Sequence, residues 1–146
     1  MKKIILSAVI TLTMGVAALA NIDPVNNSKA QEVFKKEFAG AEMVKWSTEG
    51  NYSKVSFVLG GTSAIALFNG EGELLGSVRN IFYNQLPLSV ITSFEKRFEN
   101  ATVIDITEVT NVNGTRYKVT MEYKNKKASA SLYSDGTLEN LEKQNK

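Results

Sequence analysis

Neither histidine nor cysteine occurs among the 146 residues. That removes Ser-His-Asp and Cys-His catalysis, thiolate chemistry and the usual transition-metal ligands. Carboxylates are what remain. Glu71 and Asp135 fall in equivalent turns of two similar halves, and paired carboxylates can serve as acid and base. The likeness of the halves explains both residues without catalysis, so a non-enzyme is expected. Asn69, Glu71 and Glu73 alternate like the opening of a calcium loop. Such a loop needs glycine at its sixth place and glutamate at its twelfth. Leu74 and Asn80 stand there, so an exposed hairpin turn is expected instead. Gly70-x-Gly72 lacks the third glycine of a dinucleotide loop and precedes a strand. No cofactor and no metal are expected. Asn26, Asn51, Asn100 and Asn113 each open an N-x-[ST] triplet, a glycosylation signal only in a eukaryote.

The elements around these residues read as two units. In the second, Pro87 suits the first turn of a helix. Leu88, Ile91, Phe94 and Phe98 recur at spacings of three and four, with Val90 beside them, which predicts an apolar helical stripe. Val103 to Val109 is rich in β-branched residues and predicts a strand. Tyr117, Val119, Met121 and Tyr123 alternate with Arg116, Lys118, Thr120 and Glu122, the pattern of a sheet with one covered face. Asn125-Lys126 predicts a hairpin turn. Ala128, Ala130 and Leu132 continue the covered face, and Thr137 to Leu141 predicts a last strand. In the first unit, Ser28 with Gln31 fits a capping box. Ala30, Val33, Phe34 and Phe38 form its stripe, and Gly40 ends the helix. Strands follow at Met43–Ser47, with Trp46 buried, then through Val55–Leu59, Ala64–Phe68 and Leu74–Val78. Residues 79–85 cross to the second helix.

Residues 1–20 read as an export signal. Lys2 and Lys3 precede an apolar run from Ile4 to Leu12, and Ala18-Leu19-Ala20 has the small-x-small form of a cleavage site. The rival reading, a membrane anchor, is disfavoured because the apolar run is short. Cleavage after Ala20 predicts a periplasmic or secreted protein. The whole chain carries 17 basic and 15 acidic residues. Without Lys2 and Lys3, the remaining 126 residues carry 15 of each and are formally neutral. A neutral domain has no electrostatic footprint for nucleic acid or an anionic membrane. With no disulfides, packing alone must hold it together. Residues 21–27 are polar, contain Pro24 and read as a linker.

The two units align. Val33 to Phe38 matches Ser93 to Phe98, and Ala41, Val44 and Trp46 match Ala101, Ile104 and Ile106, at an offset of 60. Ala64, Ala66, Phe68, Gly72 and Leu74 match Ala128, Ala130, Leu132, Gly136 and Leu138 at an offset of 64. The four extra residues are expected in a longer turn around Asn111 to Gly114. The prediction is an α+β domain over 28–143: tandem α-β4 repeats, about 28–80 and 86–143, forming an antiparallel sheet with two helices packed on one face.

Several pieces also resemble a family. They are Arg79-Asn80-Ile81 before Leu86-Pro87, the Phe94-Glu95-Lys96-Arg97-Phe98 helix, the Tyr117-Lys118-Val119 strand and the Asp135-Gly136-x-Leu138 turn. Over about 28–143 the chain resembles the PepSY-like, β-lactamase-inhibitor-protein-like exported domains of Bacteroidetes. The resemblance implies a curved sheet built from tandem α-β4 repeats. Most members have no established activity, and the inhibitor that names the fold grips its target enzyme on the concave sheet face.

The predicted faces opposite the helices differ. The second unit carries Lys118, Thr120, Glu122, Ser129 and Ser131 there. The first carries Tyr52, Lys54, Ser56, Val58, Ile65 and Leu67, a more apolar set. Burial against the other unit or a second copy would explain this; so would a partner site. The candidate binding residues are Tyr52, Val58, Ile65 and Leu67. The expected function is an exported non-enzymatic module that recognises a protein or peptide through this face, inhibitor-like in action. The alternative is a periplasmic carrier with a small-ligand pocket between helices and sheet.

Overall fold

The structure is a computed structural model that describes residues 27–143. The expected export signal at 1–20, and the linker as far as residue 26, lie outside the described residues. A ten-residue helix, α1 (Ser28–Glu37), leads into four strands: β1 (Glu42–Glu49), β2 (Tyr52–Leu59), β3 (Thr62–Phe68) and β4 (Leu74–Asn80). A short 3-10 turn at Tyr83–Gln85 leads into α2 (Leu88–Arg97). Four more strands follow: β5 (Thr102–Asn111), β6 (Gly114–Tyr123), β7 (Lys126–Tyr133) and β8 (Leu138–Lys143). All eight join one antiparallel sheet in sequence order. The fold is therefore α+β, an eight-stranded antiparallel sheet with two helices.

Each helix covers four strands. Ala30 and Phe34 of α1 pack on Val55 and Phe57 of β2 and Ala64, Ala66 and Phe68 of β3. The Phe34 ring meets Phe57 edge-on at 5.0 Å and Trp46 at 5.4 Å. Such pairs add about 0.5–1.5 kcal/mol each beyond area burial. Trp46 is half-buried rather than buried, because β1 is the sheet's edge. Val90 and Phe94 of α2, with Phe98, pack on Ile106, Val119, Met121, Ala130 and Leu132.

Several local expectations shift. The cap of α1 is Asn27, whose Oδ1 accepts the Ala30 N–H at 3.0 Å. Ser28 is already helical, so the S-x-x-Q box does not form. The Asn27 amide also donates to the Asn69 carbonyl at 3.1 Å, tying the last linker residue to the β3–β4 turn. Pro87 is the cap of α2 and not its first residue. Leu88 lies outside the apolar stripe and is 77% exposed. At 3.6 residues per turn it sits about 120° from Phe94, whereas Val90 sits about 40° away. The β6–β7 turn is Lys124-Asn125, both at positive φ (52° and 60°), one residue earlier than expected. Gly60-Gly61 make the matching turn between β2 and β3 at 59° and 79°. Two left-handed residues form the two-residue hairpin that suits strand twist.

The four extra residues do not lengthen the turn at Asn111. They add two residues to each of β5 and β6, which run to ten residues against eight in β1 and β2. Arg79 and Asn80 end β4 rather than start the crossing.

Gly72 and Gly136 fix where the helices land. Both have positive φ, 84° and 87°. A Cβ on Gly72 would stand 2.8 Å from the Ala30 nitrogen, and one on Gly136 would collide with the Ser89 carbonyl oxygen. Each turn thus lets the first turn of a helix approach its backbone, as only glycine permits.

Candidate functional site: the helix-free face of the sheet

Residues directly opposite in neighbouring antiparallel strands share a face. Following the register across the sheet, Lys45, Ser56, Ile65, Val78, Val109, Arg116 and Tyr133 form one continuous row. It crosses seven strands, about 29 Å at ordinary strand spacing. The row lies on the side away from the two cores, and no described element covers it. Its middle is apolar: Ile65, Val78 and Val109, with Leu67 two residues from Ile65, are all half-buried.

Both ends are cationic. Lys45 stands on β1. Arg116 lies over the Tyr133 ring at 5.5 Å and pairs with Glu139 at 3.1 Å. The Tyr133 hydroxyl donates to the same carboxylate at 2.9 Å. That hydrogen bond, helped by desolvation, raises the Tyr133 phenol above its ordinary pKa. Lys54, in the neighbouring row, is held by Glu49 at 2.7 Å.

All four sequence-derived candidates share this face. Ile65 and Leu67 belong to the apolar middle. Val58 lies toward one end, opposite Glu42 and Ser63, and Tyr52 at the other, opposite Glu49 and 48% exposed. Val78 and Val109 were missed because the units were read as separate surfaces. The β4–β5 pairing makes one surface of both. The signal was the alternation of Gly76, Val78 and Asn80, and of Thr107, Val109 and Asn111.

Across the join on the helix side, Arg79 stands opposite Glu108, and Glu108 opposite Tyr117. The guanidinium reaches both carboxylate oxygens, at 2.6 and 3.3 Å. Burial first, and then the neighbouring Glu108, raises the Tyr117 phenol above its ordinary pKa. This polar seam separates the two apolar cores.

The other chemical candidates do not assemble. Glu71 and Asp135 occupy turns four strands apart, about 19 Å by strand spacing. The Asn69 carboxamide is spent on its own turn: Oδ1 accepts the Glu71 and Glu73 N–H groups, and Nδ2 donates to Glu73. Asp135 accepts the Thr137 N–H at 2.8 Å, and this bond lowers its pKa. No group of three potential metal ligands occurs among the described residues.

Two clefts open on the helix side, one beside the C-terminal end of each helix. That at α2 and β5 has a volume of about 450 Å³, and that at α1 and β1 about 340 Å³. Both are open grooves. Among the described residues no helix is long and apolar enough to cross a membrane.

No family model and no curated protein matches the sequence. Solved structures do match in fold. A β-lactamase-inhibitor-protein-like protein of Bacteroides fragilis is 24% identical, with a TM-score of 0.66, over 79% of this chain and 84% of that one. A DUF2874 family protein of Bacteroides ovatus is 20% identical, with a TM-score of 0.67, over 83% and 89%. A protein of Bacteroides eggerthii, described provisionally as periplasmic, is 18% identical, with a TM-score of 0.65, over 80% and 87%. At these identities the likeness establishes a shared β-lactamase-inhibitor-protein-like fold.

Proposed function

We propose that this protein is an exported, non-enzymatic binding module that recognises a protein or peptide through the helix-free face. The apolar row Ile65–Val78–Val109 carries this reading, because it crosses the join of the two halves uncovered. An apolar centre with aromatic and arginine residues at its margin is the composition of interfaces and their hot spots. Tyr133 and Arg116, fixed by Glu139, form one such anchor. The fold shared with a β-lactamase-inhibitor-protein-like protein is compatible with an inhibitor-like mode of binding.

Export by a signal cleaved after Ala20 belongs to the same reading, and so does the origin of the sheet as two copies of an α-β4 unit. Both halves place a glycine turn against the start of a helix and break strand register at matching positions, Leu67/Phe68 and Ser131/Leu132. The carrier alternative has less behind it, since the two clefts are open grooves at helix ends and tight clusters fill the space between helix and sheet.

The test is a crosslinking pulldown from the periplasm of the exporting cells, with a Val58→Asp/Ile65→Asp variant as control. A partner captured by the parent and lost from a folded variant supports the reading. A partner retained by the variant contradicts it.

A further inference from the structure

The two clefts at the helix ends are built alike and charged oppositely. Phe94, Phe98 and Val103 give the α2–β5 cleft an apolar floor, with Tyr83 at its side. Its rim carries Glu95, on the last turn of α2, and Glu99, in the turn just beyond the helix end. The Tyr83 hydroxyl donates to Glu95 Oε1 at 3.0 Å, which fixes that carboxylate beside the opening. Among the described residues Glu99 has no ion pair. Subtracting 60 from Phe94, Glu95, Phe98, Glu99, Asn100 and Ala101 leads to residues of the α1–β1 cleft. Phe34 and Phe38 take the places of Phe94 and Phe98, but Lys35 replaces Glu95 and Ala39 replaces Glu99. The apolar frame is kept and the sign of the rim is reversed.

We propose that the α2–β5 cleft is a second recognition site, which receives a basic side chain of a peptide. A lysine or arginine has the required form, with an apolar stem for the phenylalanine floor and a charged head for the two carboxylates. The negative end of the α2 dipole lies at the same opening and adds to the attraction. The groove is too open to enclose a free small molecule and wide enough for one long side chain. This site is on the side of the sheet opposite the apolar row and does not depend on the reading given for that row.

The test is an NMR titration of the ¹⁵N-labelled protein with acetyl-Leu-Lys-Leu-amide. Controls are the same peptide with acetylated lysine and the version with glutamate at the centre. The expected result is that the lysine peptide shifts the amides of Tyr83, Ala101 and Val103, and that acetylation abolishes the shifts. Glu95→Gln/Glu99→Gln, both at exposed positions, should weaken the interaction about tenfold with the fold intact. Equal shifts from the acetylated peptide, shifts confined to other surfaces, or no shift at millimolar peptide would each overturn the proposal.

Discussion

Val78 of β4 stands directly opposite Val109 of β5, across the strand pair that joins the two halves. The pair turns two four-stranded surfaces into one and brings Ile65 and Arg116 into the same row. Cross-strand pairs of β-branched residues contribute about 0.2–1 kcal/mol relative to alanine. Val78→Ala with Val109→Ala should therefore lower stability by about 1 kcal/mol or less in urea titration while weakening partner capture strongly. A stability loss with undiminished capture would place the binding surface elsewhere.

On the other side of the same join, Arg79 meets Glu108 with side chains 37% and 16% exposed. Arg79→Ala leaves the less exposed carboxylate without its partner. Solvent at the guanidinium keeps the cost nearer surface values, about 1–2 kcal/mol. A double-mutant cycle with Glu108→Gln should recover part of that loss, because the neutral side chain no longer needs a counterion.

The tyrosines give a pH dependence with a defined sign. Tyr83, Tyr117 and Tyr133 all have raised pKa values in the folded protein. The unfolded chain gives up these protons near pH 10, and the folded chain holds them longer. The unfolded state therefore binds fewer protons in that window, and stability falls as pH rises through and above about 10. Tyr117→Phe should make the alkaline decline shallower in thermal melts taken across that range. An unchanged slope would mean that Tyr117 titrates alike in both states.

The helix start separates two neighbouring residues. Asn27→Ala removes the cap and the bond to the Asn69 carbonyl, and should cost about 1–2 kcal/mol. Ser28→Ala should be close to neutral, where a capping box would have made it the costly change. The two glycine turns divide in the same way. Gly136→Ala collides with Ser89 and should cost more than about 2 kcal/mol. Gly60→Ala, with open space around it, bears only the left-handed penalty of about 1–2 kcal/mol. Denaturant midpoints of the four variants check both comparisons.

Much of this architecture was legible in the chain. Alternation through Tyr117, Val119 and Met121 and through Val55 and Phe57 gave the strands and their buried side, because a sheet covered on one face enforces a period of two. The helix stripe was readable at Phe34, Phe38, Phe94 and Phe98. It misled at Leu88, where spacing alone cannot tell which edge of a stripe faces the sheet. The binding face was half legible. Tyr52, Val58, Ile65 and Leu67 follow from alternation within one unit. Val78 and Val109 needed the pairing of β4 with β5, a contact between units that no local pattern encodes. The rim charges at Glu95 and Lys35 look like solvated helix positions until the clefts beside them are seen.

The central claim is that the apolar row is the partner-binding surface. The most direct measurement places a photocrosslinking amino acid at Val109, at Ile65 and, as a helix-side control, at Glu32, which is exposed and lines neither cleft, with irradiation in the exporting cells. One partner crosslinked from both Val109 and Ile65, and not from Glu32, is the predicted result. Crosslinks from Glu32 alone, or none from either sheet position, would contradict it.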